Sequence, residues 1–183
     1  MRKIIACEWL SLDGFFSGIN GETDWFYWDK EVEDFYKNFQ QGIDTLLFGR
    51  ITYDIMKAYW PTNAAASEDK SITAHMNDSR KIVYSKAGVD TNWNNTEVKQ
   101  EIIPGEVIAL KQEAGKNIVI YGSGSIVSQL TNLGMIDEYL LAINPLILGK
   151  GRPLFKQLEK PLHWQLIEAR SFIIGLTVLR YKP

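Results

Sequence analysis

The stretch Asn117–Ile126, which reads NIVIYGSGSI, decides the fold. Its apolar residues from Ile118 to Tyr121 predict a strand buried on both faces. The turn Gly122–Ser125 then leads into apolar residues at helical spacing. A strand, a glycine turn and a helix start aim backbone N–H groups and a helix dipole at an anion. A tight strand-to-helix connection without a ligand explains the pattern equally well, because neither a P-loop nor a complete G-x-G-x-x-G fingerprint follows.

Length and composition bound the class of protein. The 183 residues suffice for a substantial core, and we expect residues 1–183 to form a single domain. A net charge of −2 argues against a nucleic acid or a membrane surface as partner. The single Cys7 excludes a disulfide framework and a thiolate metal cluster, and we expect no metal. Because no signal peptide or apolar run of about 20 residues is evident, the expected location is the cytoplasm.

Short apolar strands alternate with amphipathic helices along the chain. The predicted strands are Lys3–Leu12, Thr45–Phe48, Lys81–Ser85, Thr96–Lys99, Ile118–Tyr121 and Glu138–Leu148, followed by a terminal hairpin about Gly175. The predicted helices run from Asp29 to about Gln41, after Arg50, through Ile72 and Met76, over Glu106–Ala114 and after Ser125. Pro145 predicts an edge position or a bulge in its strand. This alternation indicates an α/β fold, a mixed, mostly parallel sheet with helices on both faces and an antiparallel C-terminal edge.

Three predicted strand ends carry groups that suit phosphates. They are Gly49–Thr52, Ser85-Lys86 and Gly122–Ser125. In open α/β sheets, ligands bind at the carboxyl ends of parallel strands, so these loops are expected to share one edge. Because no acid follows the glycine turn at the next strand end, Arg50 and Lys86 favour NADP(H) with its 2′-phosphate over NAD. Each cation taken alone is equally consistent with an ordinary surface residue.

Four segments, taken in chain order, resemble a known family. They are Ser11-Leu12-Asp13-Gly14, Leu47-Phe48-Gly49-Arg50-Ile51-Thr52-Tyr53, Tyr121-Gly122-Ser123-Gly124-Ser125 and Asn144–Phe155, which reads NPLILGKGRPLF. Together they resemble the dihydrofolate-reductase-like superfamily. The resemblance is nearest to the reductase domain of the bifunctional riboflavin-biosynthesis deaminase–reductase and to its stand-alone bacterial relatives, and it extends over nearly the whole chain.

The resemblance implies a three-layer fold, an NADPH site and a homodimer. By position, it implies phosphate contacts from Gly49, Arg50 and Thr52, a 2′-phosphate site at Ser85 and Lys86, and a pyrophosphate site at Gly122, Ser123, Gly124, Ser125 and Ile126. It also places Asp13-Gly14 in the loop beside the nicotinamide and gives Gly149–Phe155 a structural or dimer-contact role. The substrate residues carry over less well. No acid on the first helix clearly matches the pterin-binding carboxylate, and Lys37–Gln41 replaces the basic residues for a ribose phosphate.

Hydride transfer requires little chemistry from the protein beyond positioning and one proton donor. We take Glu8 and Asp13 as candidate catalytic acids, because Glu8 is a charged residue on a buried strand and Asp13 lies in the implied nicotinamide loop. Asp13 is equally understandable as a turn residue before Gly14. The candidate substrate residues are Trp9 and Trp25, whose indoles stack on flat rings but equally suit a core or a dimer surface, and Asp24, an alternative proton donor.

The sequence therefore predicts an NADPH-dependent reductase of a small heterocycle. The resemblance suggests a pyrimidine-type riboflavin precursor, as in 5-amino-6-(5-phosphoribosylamino)uracil reductase, or a pterin-like compound. Two alternatives remain open at this point. One is a dimeric module that binds NADP(H) without catalysis, and the other is a dimeric scaffold that binds neither ligand.

Overall fold

A computed structural model describes residues 1–183, and an eight-stranded sheet lies at its centre. The strands are β1 (Ile4–Leu10), β2 (Phe15–Ser17), β3 (Ile43–Gly49), β4 (Arg80–Tyr84), β5 (Thr96–Lys99), β6 (Asn117–Tyr121), β7 (Glu138–Ile143), β8 (Arg152–Pro153), β9 (Gln165–Ser171) and β10 (Thr177–Lys182). The order in the main sheet is β5-β4-β3-β6-β1-β7-β10-β9, and β2 pairs with β8 in a separate ribbon. In this order, the six strands from β5 through β7 are all parallel to one another, whereas β10 is antiparallel to both of its neighbours, β7 and β9.

Five α-helices connect the strands. They are α1 (Lys30–Gln40), α2 (Arg50–Lys57), α3 (Lys70–Asp78), α4 (Pro104–Gln112) and α5 (Gly124–Asn132). The predicted start of the first helix is confirmed, since Asp29 caps α1 and its side chain accepts a 2.9 Å hydrogen bond from the N–H of Val32. None of the helices is long and apolar enough to cross a membrane.

The helices cover both faces of the sheet. Buried side chains of α1, α2 and α3, among them Tyr36, Tyr53 and Met76, pack with Val119 and Phe48 in one cluster. Those of α4 and α5, with Ile118 and Ile120 of β6, form the second cluster on the opposite face. Consecutive residues of β6 thus enter different cores, which explains why this strand reads as an unbroken apolar run. The predicted mixed α/β fold with an antiparallel C-terminal pair is confirmed.

The edge position predicted from Pro145 is wrong. Strand β7 ends at Ile143, two residues before the proline, and lies inside the sheet between β1 and β10. The side chain of Asn144 ends the strand, because it donates a 3.1 Å hydrogen bond to the carbonyl of Leu10 and accepts one of 2.9 Å from the N–H of Tyr27. Pro145 therefore removes no hydrogen bond from the sheet.

Candidate active site

The three predicted strand ends meet in one cleft of about 470 Å³, which we call the phosphate cleft. Its lining residues are Phe16, Gly49, Arg50, Ile51, Thr52, Tyr84, Ser85, Lys86, Ala87, Ser123, Gly124, Ser125, Arg152 and Lys156. The parallel pairing of β3 with β4 and with β6 places their carboxyl ends side by side. The common edge expected from the sequence is therefore present in the structure.

Two helix N-termini open into this cleft. Helices α2 and α5 both begin in its wall, and neither has a side-chain cap. By contrast, α1 and α3 are capped by Asp29 and Asp69, each of which accepts a hydrogen bond from one backbone N–H in the first turn of its helix. The open ends of α2 and α5 leave their backbone donors available to a ligand phosphate.

Glycine permits close packing at the start of α5. Gly122 has φ of 61°, in the left-handed region, and a Cβ there would lie 3.1 Å from Cγ2 of Thr52. A Cβ on Gly124 would lie 3.0 Å from the ring of Phe16. These two glycines let the loop after β6 approach its neighbours closely enough to form one wall of the cleft.

Cationic side chains complete the cleft. Arg50 is half-exposed and donates a 3.2 Å hydrogen bond to Asp54 one turn further along α2. Lys86 lines the opposite loop, whose shape is held by a 2.9 Å hydrogen bond from Oγ of Ser85 to the carbonyl of Gly88. Arg152 and Lys156 also line the cleft and were not among the residues predicted from sequence.

A second cavity of about 400 Å³, here called the aromatic pocket, adjoins the phosphate cleft. The pairing of β1 with β6 ends at Cys7 and Tyr121, whereas its pairing with β7 continues to Leu10. The strands thus part after Cys7, and the pocket opens at this gap. Its aromatic and sulfur-containing lining residues are Cys7, Trp9, Phe16, Phe26, Trp28, Tyr36, Met56, Trp60, Met76 and Tyr121. Trp9 and Tyr36 are stacked, with ring centroids 5.4 Å apart.

Glu8 is the acidic group of this pocket that lies deepest. It is 1% exposed, and its Oε1 has no hydrogen-bond partner within the protein. Burial raises the pKa of the Glu8 carboxyl well above its ordinary value. The Cys7 thiol beside it likewise has a raised pKa, chiefly through burial. Glu8 thus keeps its proton to a higher pH than an ordinary carboxyl does.

Asp13 has different surroundings from Glu8 and does not line either cavity. Its carboxylate accepts hydrogen bonds from the Ser11 hydroxyl at 2.6 Å and from the N–H groups of Leu148 and Gly149 at 3.1 and 2.8 Å. These bonds, that of Ser11 above all, lower the pKa of Asp13. The side chain joins two loops as a carboxylate, which corresponds to the turn role weighed in the sequence.

Three other predicted site residues also lie outside the linings of the two cavities. Asp24 is exposed, and Trp25 packs edge-on against Phe26 while its Nε1 donates to the carbonyl of Glu22 at 3.1 Å. Ile126 is buried in the core behind the glycine turn. Of the candidate substrate residues, the structure brings only Trp9 into the pocket, next to Glu8.

Much of the pocket comes from helix residues that were not among the predicted site residues. Tyr36 and Gln40 reach it from α1, Met56 and Trp60 from the region of α2, and Met76 from α3. The apolar helix residues Tyr36, Met56 and Met76 have the sequence pattern of any buried helix face. Only the position of the helices over the gap beside β1 reveals that this face borders a cavity.

The family model named RibD C-terminal domain matches residues 2–178. The chain belongs to the RibD C-terminal domain family. It is 32% identical over 180 residues to the uncharacterized protein YyaP of Bacillus subtilis (strain 168), and the match covers 98% of this chain and 94% of YyaP.

Solved structures share the fold of this RibD C-terminal domain. A candidate riboflavin biosynthesis protein from Shewanella sp. PV-4 superposes with a TM-score of 0.79 at 20% identity, over 99% of this chain and 98% of that one. Dihydrofolate reductase from Enterococcus faecalis, complexed with NADP(H), superposes with a TM-score of 0.67 at 15% identity, over 98% and 95% of the two chains. The dihydrofolate-reductase-like fold expected from the sequence motifs is confirmed.

Proposed function

We propose that this protein is an NADPH-dependent reductase that transfers a hydride to a small heterocycle of pyrimidine or pterin type. The observation that carries the proposal is the continuity of the two cavities. Phe16, Ile51, Thr52 and Arg152 line both of them. An elongated ligand with its phosphates in the cleft can therefore extend its other end into the aromatic pocket, against a second flat ring.

The residues of the phosphate cleft fit a dinucleotide phosphate. The uncapped start of α5 at Ser123–Ser125 would hold the pyrophosphate, and Gly49 and Thr52 would flank it. Arg50 and Lys86 would hold the 2′-phosphate, because guanidinium and ammonium groups form charge-assisted hydrogen bonds with phosphate oxygens. When bound, NADPH supplies the hydride. A related fold solved with NADP(H), that of the dihydrofolate reductase from Enterococcus faecalis, supports this cofactor.

Glu8 is our proposed proton donor in place of Asp13. A C=N or C=O group that accepts a hydride also needs a proton, and Glu8 lies in the pocket with a raised pKa. Asp13 has a lowered pKa and lies outside the pocket, so it suits this role poorly. The aromatic walls would exclude water from the reacting atoms and align the two rings.

The first experiment is a calorimetric titration of the purified protein with NADPH and, separately, with NADH. Micromolar binding with a clear preference for NADPH is the expected result. NADPH oxidation in the presence of pyrimidine and pterin acceptors then tests catalysis. Binding without oxidation of any acceptor would favour the non-catalytic NADP(H) module, whereas no binding of either dinucleotide would remove both readings.

We also propose that the protein is a homodimer in the cytoplasm. Strand β9 is the edge of the main sheet and pairs only with β10. It leaves Leu166 and Ile167 48% and 42% exposed, which is apolar surface that a second copy could cover. The molar mass in solution, measured by light scattering, tests the dimer, and a monomeric mass at micromolar concentration would contradict it.

A further inference from the structure

Two buried polar atoms in the aromatic pocket have no hydrogen-bond partner within the protein. They are Oε1 of Glu8 and the hydroxyl of Tyr36, and no other buried side-chain nitrogen or oxygen shares this condition. Glu8 and Tyr36 are 1% and 3% exposed, and both line the pocket. An unpaired buried polar group costs about 1–3 kcal/mol, so native proteins satisfy nearly all of them. Their presence in one cavity indicates that a ligand supplies their partners.

The chemistry of these two groups defines the edge that they would bind. A protonated carboxyl has one O–H donor and retains acceptor oxygens, and a phenol likewise donates and accepts. Burial raises the pKa of the Glu8 carboxyl and so favours its protonated form. A protonated carboxyl pairs with an N–H next to a C=O, the lactam edge of oxidised nitrogen heterocycles. A lone cation would instead require the ionised form.

The charges of the pocket argue against a phosphate on the substrate. Among its lining residues Arg152 is the only cation, and it also lines the phosphate cleft, where its Nε donates to the carbonyl of Ile19 at 3.2 Å. The acids Glu8 and Glu68 both line the pocket. On α1, Gln40 lines the pocket, and Lys37 instead forms a 2.7 Å ion pair with Asp69. A phosphate in this pocket would meet two carboxyl groups, and the one cation of the lining, Arg152, is shared with the phosphate cleft.

We propose that the aromatic pocket takes a neutral, planar heterocycle without a phosphate arm, and that Glu8 and Tyr36 bind its lactam edge. The inference rests on the proposed function in that it treats this pocket as the substrate site. It separates the substrate of this chain from phosphoribosylated pyrimidines. Stacking on Trp9 and its aromatic neighbours would provide most of the affinity.

Riboflavin and flavin mononucleotide are a matched pair of probes for this proposal. They share one planar ring with an N–H flanked by two carbonyls, and they differ by a single phosphate. Binding is measured on the cofactor-free protein through flavin fluorescence. We expect riboflavin to bind about tenfold more tightly than the mononucleotide, since an unpaired buried charge costs more than one neutral hydrogen bond gains. Equal or tighter binding of the mononucleotide, or no binding of riboflavin, overturns the proposal.

Two variants test the charge argument. Thr23 is exposed and lines the pocket, so Thr23→Lys adds the missing cation at low risk to folding. We expect it to raise the affinity for flavin mononucleotide relative to riboflavin by about tenfold. Thr91→Lys adds the same charge at an exposed position outside the pocket and is the matched control, with no change in the ratio. An equal change in both variants would contradict a phosphate-excluding pocket.

Two further variants test Glu8 directly. Glu8→Gln retains a donor and an acceptor in the same shape and should bind riboflavin within about threefold of the wild type. Glu8→Leu removes both and should weaken binding by about tenfold or more. Similar riboflavin affinities for the two variants would refute the role of Glu8. These assays need no cofactor, so they test the substrate proposal independently of NADPH binding. A failure of NADPH to bind would contradict the proposed reductase function but would not change the flavin result.

Discussion

The backbone N–H of Gly49 donates a 2.8 Å hydrogen bond to Oγ of Ser123, and this bond joins the loop after β3 to the loop after β6. Both residues are buried. Ser123 has φ of 64°, a left-handed conformation that costs an L-residue about 1–2 kcal/mol. This geometry directs the hydroxyl to Gly49, and the hydrogen bond offsets part of the strain. The start of α5 has no side-chain cap. One serine thus sets the distance between the two helix N-termini of the phosphate cleft.

Substitutions at Ser123 separate its hydrogen bond from its strain. Ser123→Ala leaves the N–H of Gly49 buried and unpaired and retains the strained φ, so we expect a loss of about 2 kcal/mol in the free energy of unfolding. Ser123→Gly loses the same bond but tolerates the left-handed backbone, so its loss should be about 1 kcal/mol smaller. Urea unfolding measures both, and equal losses would show that strain at this position is negligible. Both variants should bind NADPH more weakly than the wild type.

Arg50 should decide between NADPH and NADH. Only NADPH has a 2′-phosphate, and the half-exposed Arg50 lines the cleft with freedom to leave Asp54. We expect Arg50→Ala to weaken NADPH binding by about tenfold or more and NADH binding by less than about threefold. Asp54→Ala is the control, because it removes the partner of Arg50 and keeps the cation. Equal losses for both dinucleotides in Arg50→Ala would place this arginine elsewhere on the cofactor.

The buried carboxyl of Glu8 should make the protein less stable as the pH rises. Its pKa is raised in the folded state, so between its ordinary value of 4.5 and that raised value the folded state binds the extra proton. Stability from this group is therefore present below pH 4.5 and is lost progressively above it. In the wild type this effect should lower the thermal midpoint between pH 5 and pH 8. Glu8→Gln should remove it, so the midpoint of the variant should fall less over the same pH range. An unchanged pH profile of the midpoint would mean that Glu8 ionises normally.

The same variant should affect catalysis differently from binding. Glu8→Gln retains the hydrogen bonds to a substrate edge but removes the acidic proton, so kcat should fall by about 100-fold with little change in KM. A parallel rise in KM with an unchanged kcat would instead assign Glu8 to binding alone. Asp13→Asn is the control at the other candidate acid, and we expect it to leave kcat within about threefold.

The sequence predicted the phosphate cleft far better than the aromatic pocket. Gly49, Ser85 and Gly122 occupy strand ends, and parallel strands bring their ends together whatever the details of packing. The pocket arises instead from α1, α2 and α3 crossing the gap beside Glu8, and such a tertiary arrangement leaves no local pattern. Tyr36 illustrates the difficulty, since its helical spacing predicts burial and cannot distinguish a core contact from a cavity wall.

Local rules failed where a tertiary contact overrode them. Pro145 suggested an edge strand, but Asn144 ends β7 before the proline through its contacts with Leu10 and Tyr27. The sequence was consistent with either a turn role or a catalytic role for Asp13. The hydrogen bond that the distant Gly149 N–H donates to its carboxylate favours the turn role. None of these three partners is close in sequence to the residue that it contacts, so the pattern around Pro145 or Asp13 could not reveal them.

The tryptophans provide a position-specific test of where the nicotinamide lies. Trp9, Trp28 and Trp60 line the aromatic pocket, whereas Trp164 packs edge-on against Tyr139 of the opposite core, with ring centroids 4.4 Å apart. NADP⁺ is the suitable ligand, because its oxidised nicotinamide quenches by contact and does not absorb tryptophan emission. Trp60→Phe should lower the fraction of fluorescence that NADP⁺ quenches, since it removes a quenched emitter. Trp164→Phe should raise that fraction, since it removes an emitter that stays bright. The reverse pattern would place the nicotinamide outside the pocket, and with it the site of hydride transfer.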